Sequence, residues 1–179
     1  MSSYSENNFG DIIKSITFSI NPKKIVEFGI LNGYSLDSFL NGISSECIIN
    51  AYDIFEKFNG NGSNYNEIIN KYKNYNNISI KRGDFYEEYK NFEDESIDIL
   101  HVDIANDGDI YNFCVDNYYS KIVKGGIIIL EGGSRERDNV EWMIKFNKKS
   151  IKNVVNKLKN KYSLISIDNF PSVTIIRKN

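Results

Sequence analysis

The sequence predicts an α/β fold: a seven-stranded, mostly parallel sheet covered by helices and finished by an antiparallel hairpin. Three observations predict it. Short apolar runs recur at intervals that leave room for a helix between them, which is the signature of parallel strands joined by crossovers. Apolar residues spaced three to four apart fill most of those intervals. The last two strand candidates, 162–167 and 172–177, are joined only by the turn Asp168-Asn169-Phe170-Pro171, which is too short for a crossover and therefore makes them an antiparallel pair.

Residues 1–8 are polar and read as a flexible lead. Ile12, Ile13, Ile16 and Phe18 mark a helix over 9–19, and Pro22 ends the connection to a first strand over 24–28. The turn containing Gly29 and Gly33 follows, then a helix over 35–40 with Leu36, Phe39 and Leu40 at helical spacing. A second strand over 47–52 ends at Asp53, and a Gly/Asn-rich loop over 60–64 leads to a helix over 65–75 and a third strand over 78–81. Asp84 lies just past that strand. A short helix over 85–91, a fourth strand over 97–103 and a turn over 104–108 come next.

Asp109 can cap the following helix, which presents Ile110, Phe113, Cys114, Tyr118 and Ile122 inward until Gly125-Gly126 breaks it. The fifth strand, 127–131, is the most apolar run of the chain and so is expected at the centre, covered on both faces. Gly132-Gly133 and a polar loop over 134–138 then open a helical region. Val140, Met143 and Ile144, then Ile151, Val154, Val155 and Leu158, carry its period.

With 179 residues, 41% of them apolar, the chain can bury a proper core but is too short for two ordinary domains, so one domain over 1–179 is expected. No apolar run approaches a membrane span, and the polar start lacks the layout of a secretion signal, which implies a cytoplasmic protein. Cys47 and Cys114 stand alone inside apolar patterns and read as small buried hydrophobes. A net charge of −2 lacks the basic excess of a nucleic-acid binder. The charge is uneven: ten carboxylates and one lysine lie over 84–109, and seven lysines with no acid lie over 145–161. This pattern reads as two solvated faces.

Function is legible at the strand ends. In an open α/β sheet ligands bind outside the carboxyl ends of the strands, and the five predicted parallel strands lead in turn to Glu27, Asp53, Asp84, Asp103 and Glu131. Acids there are costly if buried and are not needed for folding, which favours ligand contacts. Asp53 lies 20 residues beyond Gly33, where a dinucleotide-type fold keeps its ribose-binding acid. The spacing Gly29-x-x-x-Gly33 lacks the G-x-G-x-x-G that brings backbone against a pyrophosphate. Glu27 would repel a phosphate there but not a cationic sulfonium or amino group.

The pattern Glu27-x-Gly29-x-x-x-Gly33-x-Ser35, followed by Asp53, Asp84 and Asp103, resembles the class I S-adenosylmethionine-dependent methyltransferases, over nearly the whole chain. The resemblance implies their Rossmann-like three-layer sandwich and S-adenosyl-L-methionine as cofactor. It also implies roles. Gly29 and Gly33 would pass under the methionine part, Glu27 would orient its amino group, and Tyr34 and Ser35 would contact it at the helix start. Asp53 would bind the ribose, Ile54 would cover the adenine, Asp84 would meet the adenine amino group and Phe85 would lie close to the ring. Asp103 would face the reacting methyl.

Within that class the run 97–103 looks like the small-molecule O-methyltransferases, some of which hold a divalent metal with acids after strands four and five. By that resemblance Asp103 and Glu131 are the catalytic candidates. Asp103, Asp107 and Glu131 are oxygen ligands suited to Mg²⁺ if a metal is used. Asp107, Arg135 and Arg137 are substrate-binding candidates, the arginines either as a forked clamp on an anionic acceptor or as ordinary surface charge beside a capped helix start. His101 reads either as a structural residue or as a proton carrier. The expected function is methyl transfer to a hydroxyl of a small polar metabolite or sugar. The alternative is a non-catalytic cofactor-binding module, and the homo-oligomeric state is left open.

Overall fold

The computed structural model describes residues 3–57 and 61–179. The strands are β1 Lys24–Phe28, β2 Ile48–Asp53, β3 Ile78–Arg82, β4 Ile97–Val102, β5 Ile122–Glu131, β6 Ser163–Ile167 and β7 Val173–Arg177. They form one sheet in the order β3-β2-β1-β4-β5-β7-β6. β1 to β5 pair in parallel, and β7 runs antiparallel to both β5 and β6.

Consecutive residues on a strand point to opposite faces, so each central strand feeds two cores. Ile25, Ile49, Ile99 and Ile129 join the core beneath α1 Phe9–Ile20, α2 Tyr34–Leu40 and α3 Tyr65–Tyr72. Val26, Leu100 and Ile128 join the opposite core, closed by α4 Phe85–Glu88, α5 Gly108–Asn117 and α8 Ile151–Leu158. Two short helices, α6 Arg135–Asp138 and α7 Glu141–Lys145, lie between β5 and α8. No described helix is long and apolar enough to cross a membrane. Cys47 and Cys114 are buried and free.

The structure departs from the expected elements in several places. Gly125-Gly126 does not break a helix: α5 ends at Asn117, and the two glycines lie inside β5. Gly125 has φ +80° and the β4–β5 register shifts between Ile97 and Ile99, so the pair makes a bulge where a glycine is needed. Asp107, not Asp109, caps α5, accepting hydrogen bonds from the backbone of Asp109 and Ile110. The polar stretch 134–138 is a capped helical turn, because Ser134 Oγ accepts from Arg137 N. Ile144 points outward. Periodicity also gives no warning of Ser3–Glu6, a 3-10 turn whose Tyr4 is fully buried.

Candidate active site

The order of the strands reverses between β1 and β4, since β2 and β3 lie on one side of β1 while β4 and β5 lie on the other. At the carboxyl ends of these strands is a cavity of about 580 Å³. Backbone bonds tie its floor together: Gly29 N donates to Tyr52 O and Asp103 N donates to Phe28 O, each at 2.9 Å. Gly29 has φ +89°, and a Cβ there would overlap the Asp103 carbonyl oxygen. Only glycine suits both the conformation and the close approach.

Of the residues singled out in the sequence, Gly29, Tyr34, Ser35, Asp53, Ile54, Asp84, Phe85, Asp103 and Asp107 line this cavity. Asp53 is nearly buried and serves as a hub. It accepts from Ile30 N at 2.8 Å, Phe55 N at 2.7 Å and Asn61 Nδ2 at 2.8 Å, which fixes the glycine turn against the end of β2. Asp84 caps α4 through Tyr86 N. Phe85 stacks on Tyr118 at 4.9 Å and meets Phe28 edge-on. The wall beside the cavity is therefore a rigid aromatic cluster.

Asp103 stands just past β4, half-buried. None of the hydrogen bonds among the described residues ends on its carboxylate, while burial and then the nearby Glu131 carboxylate push its pKa up to about 7. A carboxylate held this way is suited to take a proton near neutrality. The cavity's charged lining is lopsided: Asp53, Asp84, Asp103 and Asp107 against Lys148, whose Nζ lies 3.0 Å from Asp107.

Six singled-out residues lie elsewhere. Glu27 is fully buried behind Ser35, which donates to its Oε1, and His101 Nδ1 approaches the same oxygen at 2.7 Å. Gly33, at φ +81°, faces Tyr72, whose hydroxyl lies 2.8 Å from both the Gly33 carbonyl and the Asp37 carboxylate. Glu131 and Arg137 are nearly buried and paired with each other. Nε reaches Oε1 at 2.6 Å and Nη2 reaches Oε2 at 2.9 Å, and Nη2 also donates to the Asn106 carbonyl at 3.1 Å. The guanidinium lies 5.0 Å from the Trp142 ring. Arg135 borders a separate hollow of about 450 Å³ with Lys152 and Asp168.

The metal set considered from the sequence is not assembled. Arg137 occupies both oxygens of Glu131, and Asp107 is engaged by the α5 backbone and by Lys148. Among the described residues no group of three His, Cys, Asp or Glu side chains could hold a metal ion.

Sequence reasoning missed Leu31, Asn61, Tyr86, Ile104, Ile110 and Lys148 as lining residues. Leu31 left a faint signal, being inside the glycine turn, where it adopts φ +48°. Lys148 left none, because it comes from a distant loop.

The sequence model of one family, described as a methyltransferase domain, matches residues 26–131, from β1 to the end of β5. No curated protein matches the chain. Similar solved structures include the S-adenosylhomocysteine-bound methyltransferase PaMTH1 of Podospora anserina, 19% identical, with all of this chain and 80% of that chain covered at a TM-score of 0.72. An O-methyltransferase from Bacillus cereus in complex with S-adenosylhomocysteine is 15% identical, covering 96% of this chain and 81% of that one, at a TM-score of 0.68. The O-methyltransferase TomG of Streptomyces achromogenes, involved in tomaymycin synthesis and bound to S-adenosylmethionine, is 12% identical, with coverages of 96% and 80% and a TM-score of 0.67. Together, the matched family and the strand order place this chain in the methyltransferase-domain family, with the fold of the class I S-adenosylmethionine-dependent methyltransferases.

Proposed function

We propose that the chain uses S-adenosyl-L-methionine to methylate an oxygen of a small polar acceptor, a metabolite or a sugar. One observation carries the reading: an acidic cavity at the switch point of the sheet with a half-buried, unpaired carboxylate, Asp103, in its wall. Four carboxylates against one lysine suit a ligand bearing a sulfonium and an ammonium and repel a pyrophosphate. The Gly29 turn borders that cavity, so a ligand there meets backbone rather than a side chain.

When bound, the cofactor supplies an electrophilic methyl group. The chain's own residues supply the rest. Asp53 holds the glycine turn and offers carboxylate oxygens toward the ribose hydroxyls. Ile54 and Phe85 flank the adenine, with Asp84 at its amino group. Tyr34 and Ser35 border the methionine end. Asp103 accepts the proton of the acceptor hydroxyl as its oxygen attacks, and the rigid walls hold the two partners in line. The similar structures from Bacillus cereus and Streptomyces achromogenes, both O-methyltransferases, support oxygen as the accepting atom.

Calorimetry with S-adenosylmethionine and S-adenosylhomocysteine, followed by turnover on a panel of small hydroxylated acceptors, tests the reading. Binding of both ligands is expected, and Asp103→Asn should lower kcat by roughly 10²–10⁴, the usual contribution of a general base. Absence of binding by either ligand at millimolar concentration would sink it.

A second reading, a cofactor-binding module without turnover, is favoured by one specific observation. Glu131 and Arg137, expected from the sequence to serve catalysis and acceptor binding, are already bound to each other. It predicts normal cofactor binding with no methyl transfer to any acceptor in the panel.

A further inference from the structure

Glu27 and His101 are register partners across the β1–β4 pair. His101 Nδ1 lies 2.7 Å from Glu27 Oε1, and its other nitrogen, Nε2, lies 3.3 Å from the Tyr4 hydroxyl. Ser35 Oγ donates to the same Glu27 oxygen. Tyr4, Glu27 and His101 are fully buried and Ser35 is nearly so, while Phe39 packs edge-on against the imidazole. The line starts at the 3-10 turn before α1, crosses the sheet face and ends at Ser35, which forms part of the cavity wall.

The arrangement that satisfies these donors and acceptors is Tyr4 O–H to Nε2, Nδ1–H to Glu27 and Ser35 O–H to Glu27. It leaves one atom over. Glu27 Oε2 is buried and has no hydrogen-bond partner. No lysine or arginine pairs with this carboxylate among the described residues, in contrast to Glu131, which has Arg137. The one ionisable partner of Glu27 among the described residues is the His101 imidazole, and the field of an enclosed carboxylate reaches into the neighbouring cavity with little screening. The Tyr4 phenol is itself held firmly protonated by burial and by the nearby Asp103 and Glu131 carboxylates, which suits it to the donor role.

We propose that Tyr4 and His101 are positioning residues that fix the Glu27 carboxylate behind Ser35 as a stationary negative charge, and that this charge favours the sulfonium cofactor over its uncharged thioether product. The inference rests on the reading that the cavity holds S-adenosylmethionine. Methyl transfer removes one positive charge from the bound ligand, so a fixed anion beside the cavity grips the substrate form and loosens on the spent form. Asp103 lies in the same wall, but its carboxyl is free to exchange a proton, whereas Glu27 is anchored by two hydrogen bonds from its own chain. The N-terminal turn thereby takes part in the site without touching the ligand.

The test is calorimetric titration of S-adenosylmethionine and S-adenosylhomocysteine into the unaltered chain, Glu27→Gln, Tyr4→Phe and the double variant, each read as the ratio of the two dissociation constants. Glu27→Gln should shift that ratio about tenfold toward the thioether, as expected for one charge removed from an enclosed position behind the cavity wall. Tyr4→Phe, which deletes one hydroxyl and keeps the ring, should shift it the same way by a smaller factor because the imidazole is then free to turn. The double variant should match Glu27→Gln, since Tyr4 acts only through that carboxylate. Equal losses for both ligands, or additive effects, would overturn the proposal and leave a packing role. Should Glu27→Gln fail to fold, the Tyr4→Phe ratio decides alone. A chain that binds neither ligand overturns the cofactor reading and this inference with it, whereas binding with an unchanged ratio overturns the inference alone.

Discussion

The carboxyl ends of β1 and β5 invite comparison, because in the sequence they look alike: an apolar strand, an acid at or near its tip, two glycines and a short helix. In space they are opposites. At β1 the glycine turn borders an open cavity, and the nearby acid Asp53 holds that turn in place. At β5 the acid is claimed by the chain's own arginine, and Gly133 is packed so tightly against Thr174 that a Cβ would overlap its hydroxyl. An acid and glycines at a strand tip thus border an open cavity in one place and close on the chain's own arginine in the other. The β1 end leaves its cavity open, and the β5 end completes itself.

Four experiments test this contrast. The largest effect is expected at β5. Arg137→Ala strands a buried carboxylate and should lower stability by about 3–5 kcal/mol in denaturant melts, whereas Glu131→Leu with Arg137→Met should recover most of that loss. A mild Arg137→Ala would mean that the β5 end is not self-contained. Next is Gly29→Ala at β1, where a positive φ and a clash with the Asp103 carbonyl should together cost ~2–4 kcal/mol and remove cofactor binding. Asp53→Ala should weaken cofactor binding by roughly 1–3 kcal/mol, the loss of charged hydrogen-bond partners, while Arg135→Ala, beside the other hollow, should leave binding unchanged.

The last experiment reads a dependence on pH. Asp103, pushed up to about 7 in the folded chain, binds a proton more readily there than when unfolded. The folded state therefore holds more protons than the unfolded state between about pH 4 and 7, and stability falls as pH rises through that window. Asp103→Asn should flatten this portion of the stability profile, and Glu131→Gln, which removes a neighbouring negative charge, should move it to lower pH.

How much of this was legible beforehand depends on range. β1 is found where the sequence puts it, and β3, β4, β6 and β7 within one residue at each end, because apolar alternation and turn chemistry are local. Gly125-Gly126 misled because a glycine pair ends a helix or bulges a strand with equal ease, and only the β4 register distinguishes the two. Asp53, Asp84 and Asp103 could be placed at the cavity because strand ends converge by topology alone. The pairing of Arg137 with Glu131, the arrival of Lys148 at the rim and the partnership of Tyr4 with His101 are side-chain meetings between separate elements or across a turn. No periodicity encodes them.

The pairing order of the sheet has a consequence for the growing chain. β1 has β2 on one side, available soon after β1 is made, but its other neighbour is β4, whose first residue is 97. Until then a nascent chain can pair only β3, β2 and β1, with one edge of β1 bare and the backbone at Gly29 lacking the Asp103 segment that closes over it. Long-range closures of this kind are slow, and open strand edges are prone to wrong pairing. Ribosome-bound intermediates ending before residue 97 should therefore have no cofactor affinity and should be the most aggregation-prone species of synthesis. Ligand retention should appear abruptly once β4 has left the exit tunnel.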